Sequence, residues 1–340
     1  MRHQAAAPQP GFELKGFPLE STLIVIPHYG PDPLVYGLFA SMGFRLPAGG
    51  ISAQVTLIEQ PRYSFLIINN NSQNRGFTAA CNVGLKRLLE LPPALRYAWL
   101  LQNDTEFESR AQFEHALEVL QRCARERDWA ITAQQVRRSD LKDEIIFGGA
   151  LDCFPEPRHK SGLCSRAEWK IPSEERWLSF RSALVRRDLP ERIGLMDSGL
   201  ATYYADSDYC LLARESGFTV GYTGAESFIF HQGDLAAAPD PERQKTRYQD
   251  NLSFWRKWIG GPRHTVYLRL MAGSVPDAAF SVGTILERAR AYPELHSWLA
   301  TLAADQQISI RDITEHFLHQ RPPSSFTVLC NLTREMIGGF

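Results

Sequence analysis

The chain has 340 residues, 44% of them hydrophobic and 22% charged, which is the balance of an ordinary globular protein with a substantial core. Its formal net charge of −1 excludes the basic footprint of a nucleic-acid-binding protein. No apolar run is long enough to span a bilayer. The six cysteines include no Cys-x-x-Cys pair, which indicates buried free thiols in a reducing compartment and predicts a cytoplasmic protein.

The first part of the chain alternates short apolar strands with amphipathic helices. Residues 1–19 lack an apolar signal core, and we expect them to form a flexible lead-in. We then predict strands at 22–27, 55–58, 65–68, 97–101 and 129–132 and helices at 34–44, 78–90 and 110–127. This order favours an α/β fold with a Rossmann-like, mainly parallel, doubly wound sheet.

The second part of the chain is less regular. Residues 150–176 mix Pro, Gly, Cys and charge, and we predict a loop region over a sheet edge. Further elements are predicted as strands at 177–185, 218–222 and 227–231, with a helix at 206–216 and mostly helices after 241. A soft boundary near Gly260-Gly-Pro262 separates a domain at 20–260, with halves at 20–135 and 136–260, from a helical C-terminal extension at 261–340.

One strand ends in residues that could bind a cation. The apolar run from Tyr97 stops at Asn103 and Asp104. In open α/β sheets, ligands bind beyond the carboxyl ends of the strands, so Asp104 is expected there with Asn103 beside it. A carboxylate in this place suits a hard cation that in turn holds a diphosphate. The alternative is a strand that ends in a solvated turn.

Two later polar residues also stand at the ends of predicted elements. His231 ends a strand and could complete the ligand shell of a cation. Asp206 and Asp208 lie in the first turn of a helix at a spacing that does not share a face. One of them can therefore face a cleft and accept a proton, while the other caps the helix or pairs with Arg214. We assign the cleft position to Asp206.

A weaker signal for an anion site is the segment that begins with Asn74-Arg-Gly76-Phe and continues to Asn82. Glycine allows close backbone approach, and a helix N-terminus favours a negative group. The chain has no P-loop and no Gly-x-Gly-x-x-Gly after its first strand, which argues against a nicotinamide enzyme.

Taken in order, these motifs resemble the family 2 glycosyltransferases of GT-A fold, with the nearest likeness to rhamnosyltransferase-like members. The similarity covers about residues 20–258 and is carried by five segments: Ile24-Val-Ile-Pro-His-Tyr-Gly30, Asn74-Arg-Gly-Phe-Thr-Ala-Ala-Cys-Asn-Val-Gly-Leu85, Leu100-Leu-Gln-Asn-Asp-Thr-Glu106, the block from Ile193-Gly-Leu-Met-Asp197 through Tyr203-Tyr-Ala-Asp-Ser-Asp-Tyr-Cys210, and Phe230-His-Gln-Gly233.

The resemblance implies inverting transfer of a sugar from a UDP- or dTDP-sugar to a hydroxyl of a saccharide or glycolipid, in surface polysaccharide or glycolipid synthesis. It implies Asp206 as general base, and Asp104 with His231 as ligands of Mg²⁺ or Mn²⁺ on the diphosphate. The donor side would be formed by Pro27, Tyr29, Glu59 or Asn69, Gly76, Asn82 and Asn103. The acceptor side would be formed by Asp197, Asp208 and Arg181. Such an enzyme would work in the cytoplasm, at the inner face of the membrane when its acceptor is a lipid.

Three positions depart from the family pattern. Gln102 replaces the first acid of the metal motif, Ala205 replaces the Glu before Asp206, and Arg181 stands where small residues are usual. Glu106 is a candidate to compensate for Gln102. The departures leave two further hypotheses open: a non-catalytic nucleotide-sugar-binding protein of the same fold, and an assembly protein that uses its C-terminal helices to contact a protein partner or a membrane. The sequence leaves the oligomeric state open.

Overall fold

The computed structural model describes residues 21–46, 51, 54–60, 63–71, 73–152, 158–163, 169–232, 241–254, 257–258, 263, 266 and 270. The predicted lead-in and the predicted helices after residue 275 lie outside these residues. The division into domains therefore stays a prediction.

The first part of the chain follows the predicted alternation closely. It forms β1 (Ser21–His28), α1 (Asp32–Ser41), β2 (Val55–Glu59), β3 (Tyr63–Asn69), α2 (Gly76–Glu90), β4 (Leu95–Leu101), β5 (Thr105–Glu106), α3 (Arg110–Glu126), β6 (Trp129–Ala133) and β7 (Gln135–Arg138).

The second part adds mostly short strands. It forms β8 (Glu144–Phe147), β9 (Ala150–Asp152), β10 (Arg158–His159), β11 (Gly162–Leu163), β12 (Ser173–Glu174), β13 (Ser182–Arg186), α4 (Asp188–Ile193), α5 (Ala205–Glu215), β14 (Thr219–Tyr222), β15 (Phe228–His231) and α6 (Pro241–Phe254).

An eight-stranded sheet forms the centre of the fold, in the order β12-β14-β6-β13-β4-β1-β3-β2. The strands β1, β3 and β4 are parallel, and β6 and β14 run in the same direction because β13 is antiparallel to both β4 and β6. The remaining strands, β2, β12 and β13, run the opposite way. The predicted mainly parallel sheet is therefore interrupted near its middle by the reversed strand β13.

Two sequence-based predictions for the second part were wrong. The strand predicted at 177–185 begins only at Ser182, because Trp177, Leu178 and Phe180 are buried in the core without joining a strand. An apolar run alone does not separate these two cases. Residues 150–176 were predicted as a loop, yet their described portion includes β9 to β12.

A second, five-stranded sheet has the order β11-β8-β7-β15-β5. Two strands of the large sheet continue into it, because β4 is followed by β5 after three residues and β6 is followed by β7 after Gln134 alone. Asp104 lies in the connection from β4 to β5. It is therefore placed where the two sheets separate, at the carboxyl edge of β4.

The core beneath this edge is built from aromatic side chains. Trp99 of β4 stacks on Phe113 of α3, with ring centroids 5.5 Å apart and an interplanar angle of 9°. Its indole nitrogen donates to Ser182 Oγ of β13 over 2.8 Å, which leaves no unpaired donor in the core. The helix α3 begins as predicted, because Ser109 Oγ accepts a hydrogen bond from the Gln112 backbone nitrogen.

Of the six cysteines, the three that lie in the described residues, Cys81, Cys123 and Cys210, are buried free thiols. Among the described residues, no helix has the length and apolar character needed to cross a membrane.

Candidate active site

The register of the second sheet brings Asp104 and His231 together. In that sheet His231 of β15 pairs with Thr105 of β5, the residue after Asp104. The Gln232 backbone nitrogen also donates to the Asp104 carbonyl over 3.0 Å. As a result, His231 Nε2 lies 3.2 Å from Asp104 Oδ1 and 3.2 Å from Gln102 Oε1.

The Asp104 carboxylate next to this His231 nitrogen is partly buried and ionised. Asp104 Oδ1 is buried and has the His231 ring beside it, but it accepts no well-aligned hydrogen bond from the described residues. Burial raises the pKa of the Asp104 carboxyl, but the adjacent His231 ring and the charge of Arg181 outweigh burial and lower this pKa below its usual value. The carboxylate is therefore ionised at neutral pH.

The donor set fits a divalent cation of the Mg²⁺ or Mn²⁺ type. Within the described residues no group of three or more His, Cys, Asp or Glu side chains forms a metal cluster. A carboxylate oxygen, an imidazole nitrogen and the Gln102 amide oxygen nevertheless give three suitable donors, and a bound diphosphate could supply more. Glu106 does not compensate for Gln102, because its carboxylate accepts hydrogen bonds from Ser139 and Gln232.

Asn103 connects the ends of β1 and β4. Its amide nitrogen lies 3.0 Å from His28 Nδ1 and donates to the Tyr29 carbonyl over 3.1 Å. His28 is fully buried, and its Nε2 lies 3.1 Å from Asp32 Oδ1. If Asn103 donates to Nδ1, then Nε2 carries the proton and donates to Asp32. His28 was missed by the sequence analysis, although it ends β1 as Asp104 follows β4.

Asp206 lies in the first turn of α5. Its Oδ1 accepts the Ser207 backbone nitrogen over 2.8 Å, and its Oδ2 lies 3.4 Å from the Phe180 backbone nitrogen. Burial raises the pKa of this carboxyl, and these backbone N–H groups and the charge of Arg181 reduce the rise without cancelling it. Tyr204, two residues before Asp206, has a φ of 61°, which is a left-handed conformation that a bulky residue seldom adopts.

Arg181 influences both carboxylates. Its backbone carbonyl accepts a hydrogen bond from the Gln102 nitrogen over 3.0 Å, and the neighbouring Phe180 nitrogen faces Asp206. Its guanidinium lowers the pKa of both Asp104 and Asp206, although burial acts on both in the opposite direction. The segment before β13 therefore joins the cation-binding candidates to the candidate base.

A buried carboxylate on α6 holds the loop that leads into α5. Asp250 is 3% exposed, and its two oxygens accept the backbone nitrogens of Ala201, Thr202 and Tyr203 over 2.7–2.9 Å. Three charge-assisted hydrogen bonds fix this loop. Asp250 could not be predicted from the sequence, because nothing in the local pattern of α6 links it to a loop about fifty residues earlier.

Glu59 and Asn69 were the two alternatives for one position on the donor side. Glu59 is exposed and pairs with Ser64, so it lies at the opposite edge of the sheet from Asp104, because β2 runs antiparallel to β3. Of the alternatives Glu59 and Asn69, only Asn69 lies at the carboxyl edge. Its side chain donates to the Ile51 carbonyl and accepts from the Asn71 nitrogen.

The predicted anion site at the start of α2 packs against the protein instead. Gly76 has a φ of 83°, and a side chain there would overlap the Ala201 carbonyl oxygen. Asn82 exchanges two hydrogen bonds with the Met196 backbone, over 2.8 and 2.9 Å. Both residues therefore connect α2 to the loop before α5. The Asn82 amide is already bonded to the Met196 backbone, so the predicted contact of this side chain with a nucleotide sugar is not supported.

Asp208, predicted to face the acceptor, is fully buried. Its carboxylate accepts hydrogen bonds from Lys257 over 2.9 Å and from the Trp258 indole nitrogen over 2.6 Å, rather than from Arg214, which was one of the two alternatives predicted for it. Asp197 is 41% exposed and pairs with the same Lys257 over 2.8 Å. Burial raises the pKa of Asp197, but Lys257 and the Gly199 nitrogen bring it below the usual value.

The remaining donor-side residues differ in exposure. Pro27 is buried within β1, while the side chain of Tyr29 is 57% exposed beyond the end of that strand. The Tyr29 side chain is therefore available to contact a ligand, whereas Pro27 is not exposed.

Comparison with known proteins gives little to add to this geometry. No protein-family model matches the chain, and no curated protein matches it. Among solved structures, the chain is similar to the crystal structure of GalNAc-T7 with UDP, GalNAc and Mn²⁺, at 11% identity and a TM-score of 0.42, over 81% of this chain and 58% of that one. It is also similar to A197 from STIV, at 11% identity and a TM-score of 0.32, over 65% of this chain and 98% of that one. The functional conclusion therefore depends on the site itself.

Proposed function

We propose that this protein is an inverting glycosyltransferase of GT-A type that moves a sugar from a nucleotide diphosphate sugar to a hydroxyl acceptor. One observation carries the proposal. Asp104, His231 and Asp206 are far apart in the chain, yet the segment at Phe180 and Arg181 joins them at the carboxyl edge of the large sheet. A cation-binding set next to a carboxylate with a raised pKa suits transfer from a diphosphate donor.

In the proposed reaction, the hydroxyl oxygen of the acceptor attacks the anomeric carbon of the donor sugar, and Asp206 accepts the proton of that hydroxyl. The bond from that carbon to the diphosphate oxygen breaks, and the nucleoside diphosphate leaves with the electron pair. Attack opposite to the leaving group inverts the configuration. Asp104, His231 and Gln102 would hold a divalent cation, which would stabilise the negative charge on the diphosphate.

The other residues are assigned by their position. We assign Tyr29 to the nucleoside because its side chain is exposed at the end of β1, and Pro27, Asn69 and Asn103 to the same donor side. Asp197 is assigned to the acceptor side. We propose a UDP- or dTDP-sugar as donor and a saccharide or glycolipid as acceptor, in surface polysaccharide or glycolipid synthesis at the cytoplasmic face of a membrane.

A second function is favoured by one observation. Ala205 is buried where the resembling family has a glutamate, and Gln102 replaces an acid, so the site holds fewer carboxylates than that family's pattern. These replacements favour a protein that binds a nucleotide sugar without turnover. The further hypothesis of an assembly protein working through C-terminal helices falls on residues outside those described.

The test uses purified protein and a panel of UDP- and dTDP-sugars with Mn²⁺, Mg²⁺ or EDTA, measuring donor binding by calorimetry and transfer or hydrolysis by nucleotide release. We expect Asp206→Asn to bind donor as the wild type does while turnover falls by about 10²–10⁴-fold. Asp143→Asn, an exposed carboxylate before β8, is the matched control and should change neither.

Each outcome separates the candidates. Binding without turnover by the wild type under any metal condition would favour the non-catalytic function. Absence of binding to every nucleoside diphosphate would overturn both. If Asp206→Asn lost donor binding, Asp206 would belong to the donor site and could not be assigned as the base.

A further inference from the structure

The guanidinium of Arg181 has an N–H donor without a hydrogen-bond partner among the described residues. One terminal nitrogen donates to Ser179 Oγ over 3.1 Å. The Nε atom is buried and has no hydrogen-bond partner among the described residues. Because an arginine carries five N–H donors and a buried unpaired donor costs free energy, this arrangement is suited to an additional acceptor.

The surroundings of Arg181 favour an anion as that acceptor. Its charge acts on both Asp104 and Asp206, yet within the described residues no carboxylate lies close enough to form an ion pair with it. The position of the residue is fixed by the backbone, since its carbonyl accepts the Gln102 nitrogen and the next residue, Ser182, pairs with Leu101. The backbone thus anchors Arg181 next to Gln102, and its positive charge acts on both the cation-binding candidate Asp104 and the candidate base Asp206.

We propose that Arg181 binds the diphosphate of the donor and stays bound to it as the diphosphate leaves. This inference rests on the proposed function and changes the assignment of Arg181, which the sequence analysis placed on the acceptor side. A guanidinium presents parallel N–H groups that match two phosphate oxygens, and such charge-assisted bonds are stronger than neutral ones.

The charge balance gives this role a measurable consequence. The candidate cation site has one carboxylate, Asp104, because Gln102 is neutral and Glu106 is held by Ser139 and Gln232. A neighbouring arginine repels a divalent cation and attracts a diphosphate. The affinity for a nucleoside diphosphate should therefore depend in part on Arg181 and persist in part when the divalent cation is removed.

The experiment measures affinity by calorimetry for UDP, dTDP and the corresponding nucleosides, each with EDTA and with Mn²⁺. The variants are Arg181→Gln, Arg181→Lys and the control Arg96→Gln, an exposed residue of β4 at the opposite edge of the sheet. Thermal denaturation of each variant shows whether it folds. With EDTA, we expect the wild type to bind the diphosphates at least tenfold more tightly than the nucleosides.

Arg181→Gln should lose about tenfold or more of the diphosphate affinity and leave the nucleoside affinity unchanged. Arg181→Lys should fall between this variant and the wild type, because it keeps the charge without the fork. If Arg181→Gln binds diphosphates as the wild type does, with or without Mn²⁺, the inference is wrong and the proposed function still stands. If the wild type binds no nucleoside diphosphate, both fail.

Discussion

The two acidic side chains at the site experience opposite electrostatic surroundings. Burial raises the pKa of Asp206, and its few backbone donors do not reverse the effect. Burial also acts on Asp104, but the His231 ring and Arg181 lower the pKa of that carboxyl overall. A carboxyl with a raised pKa is better matched to accepting a proton near neutral pH, whereas a permanently ionised one is better matched to holding a cation.

The raised pKa of Asp206 predicts the pH dependence of transfer. The base must be ionised, and a raised pKa means that it takes up a proton at a higher pH than an ordinary aspartate does. The turnover rate should therefore fall as the pH decreases through this raised pKa, at a higher pH than for an ordinary aspartate. The turnover rate measured at saturating donor between about pH 4 and pH 8 should show one acidic limb.

Donor affinity measured over the same range provides the control, because it shows whether a fall in turnover comes from lost donor binding instead. A turnover rate that stays constant to the lowest pH at which the protein remains folded would exclude Asp206 as a base with a raised pKa.

Sequence reasoning located single residues only where their chemistry follows from local position. Asp104 and His231 were expected at the site because each stands at or just beyond the end of an apolar strand, and the structure places them 3.2 Å apart. Glu59 looked equivalent, but the direction of β2 is set by its pairing with β3 and places that residue at the far edge. His28 and Asp250 depend on partners distant in the chain, which a linear pattern does not reveal.

At the scale of secondary structure, α2 and the loop before α5 form one unit. The loop carbonyls of Leu200 and Ala201 accept hydrogen bonds from the Thr78 hydroxyl and backbone nitrogen, and Asn82 binds Met196. Helix α2 therefore fixes the position of the loop that leads into α5, and this loop in turn fixes the position of Asp206.

Gly76→Ala is predicted to disturb this unit. An alanine would have to adopt a φ of 83°, and its methyl group would overlap the Ala201 carbonyl oxygen. We therefore expect a loss of about 2 kcal/mol or more in the free energy of unfolding. Turnover should also fall, since the loop before Asp206 must move. Denaturant unfolding and turnover assays on the variant test both parts.

Gly37→Ala is the matched control, because this glycine lies within α1 and nothing stands within 4 Å of an added side chain. It should leave stability unchanged or raise it by up to about 1 kcal/mol. If both variants lost the same free energy of unfolding, the overlap with Ala201 would not be the cause of the loss in Gly76→Ala.

Helix and strand positions in the first part were predictable because apolar periodicity and polar ends agree there, as in β1, α3 and β4. Strand direction was not, since it depends on pairing. The reversed strand β13 could not be distinguished from the parallel ones by composition, because a central strand is apolar whichever way it runs. That reversal matters for the site. It places the start of β13, with Arg181 just before it, at the carboxyl edge of β4.

For the whole molecule, α6 and the residues after it connect the chain back to the site. Asp250 binds the loop at 201–203, and Lys257 and Trp258 bind the buried carboxylate of Asp208 in α5. Both contacts act on the segment that carries Asp206. Asp250, Lys257 and Trp258 therefore pack against the loop before α5 and against α5 itself.

Asp250→Ala should weaken the folded state and the reaction together. It removes the acceptor of three backbone N–H groups, and we expect a loss of about 3 kcal/mol in the free energy of unfolding. Donor affinity should be nearly unchanged while turnover falls, because only the loop leading to Asp206 is released. Gln249→Ala, at the exposed neighbouring position on α6, should have little effect on either quantity.

The contrary result is also clear. Asp250→Ala with wild-type turnover and lowered stability would show that the loop keeps its position without this carboxylate, and that α6 contributes to folding alone.

The reversed strand β13 also constrains how the chain assembles as it is synthesised. It lies between β4 and β6, which are joined through α3 and so are made long before it. Until residue 186 is available, one edge of β4 stays open, and β6 lacks both of its partners, β13 and β14. A ribosome-bound fragment that ends before Ser182 would therefore expose unpaired apolar strand edges, which are templates for aggregation and sites for chaperone binding.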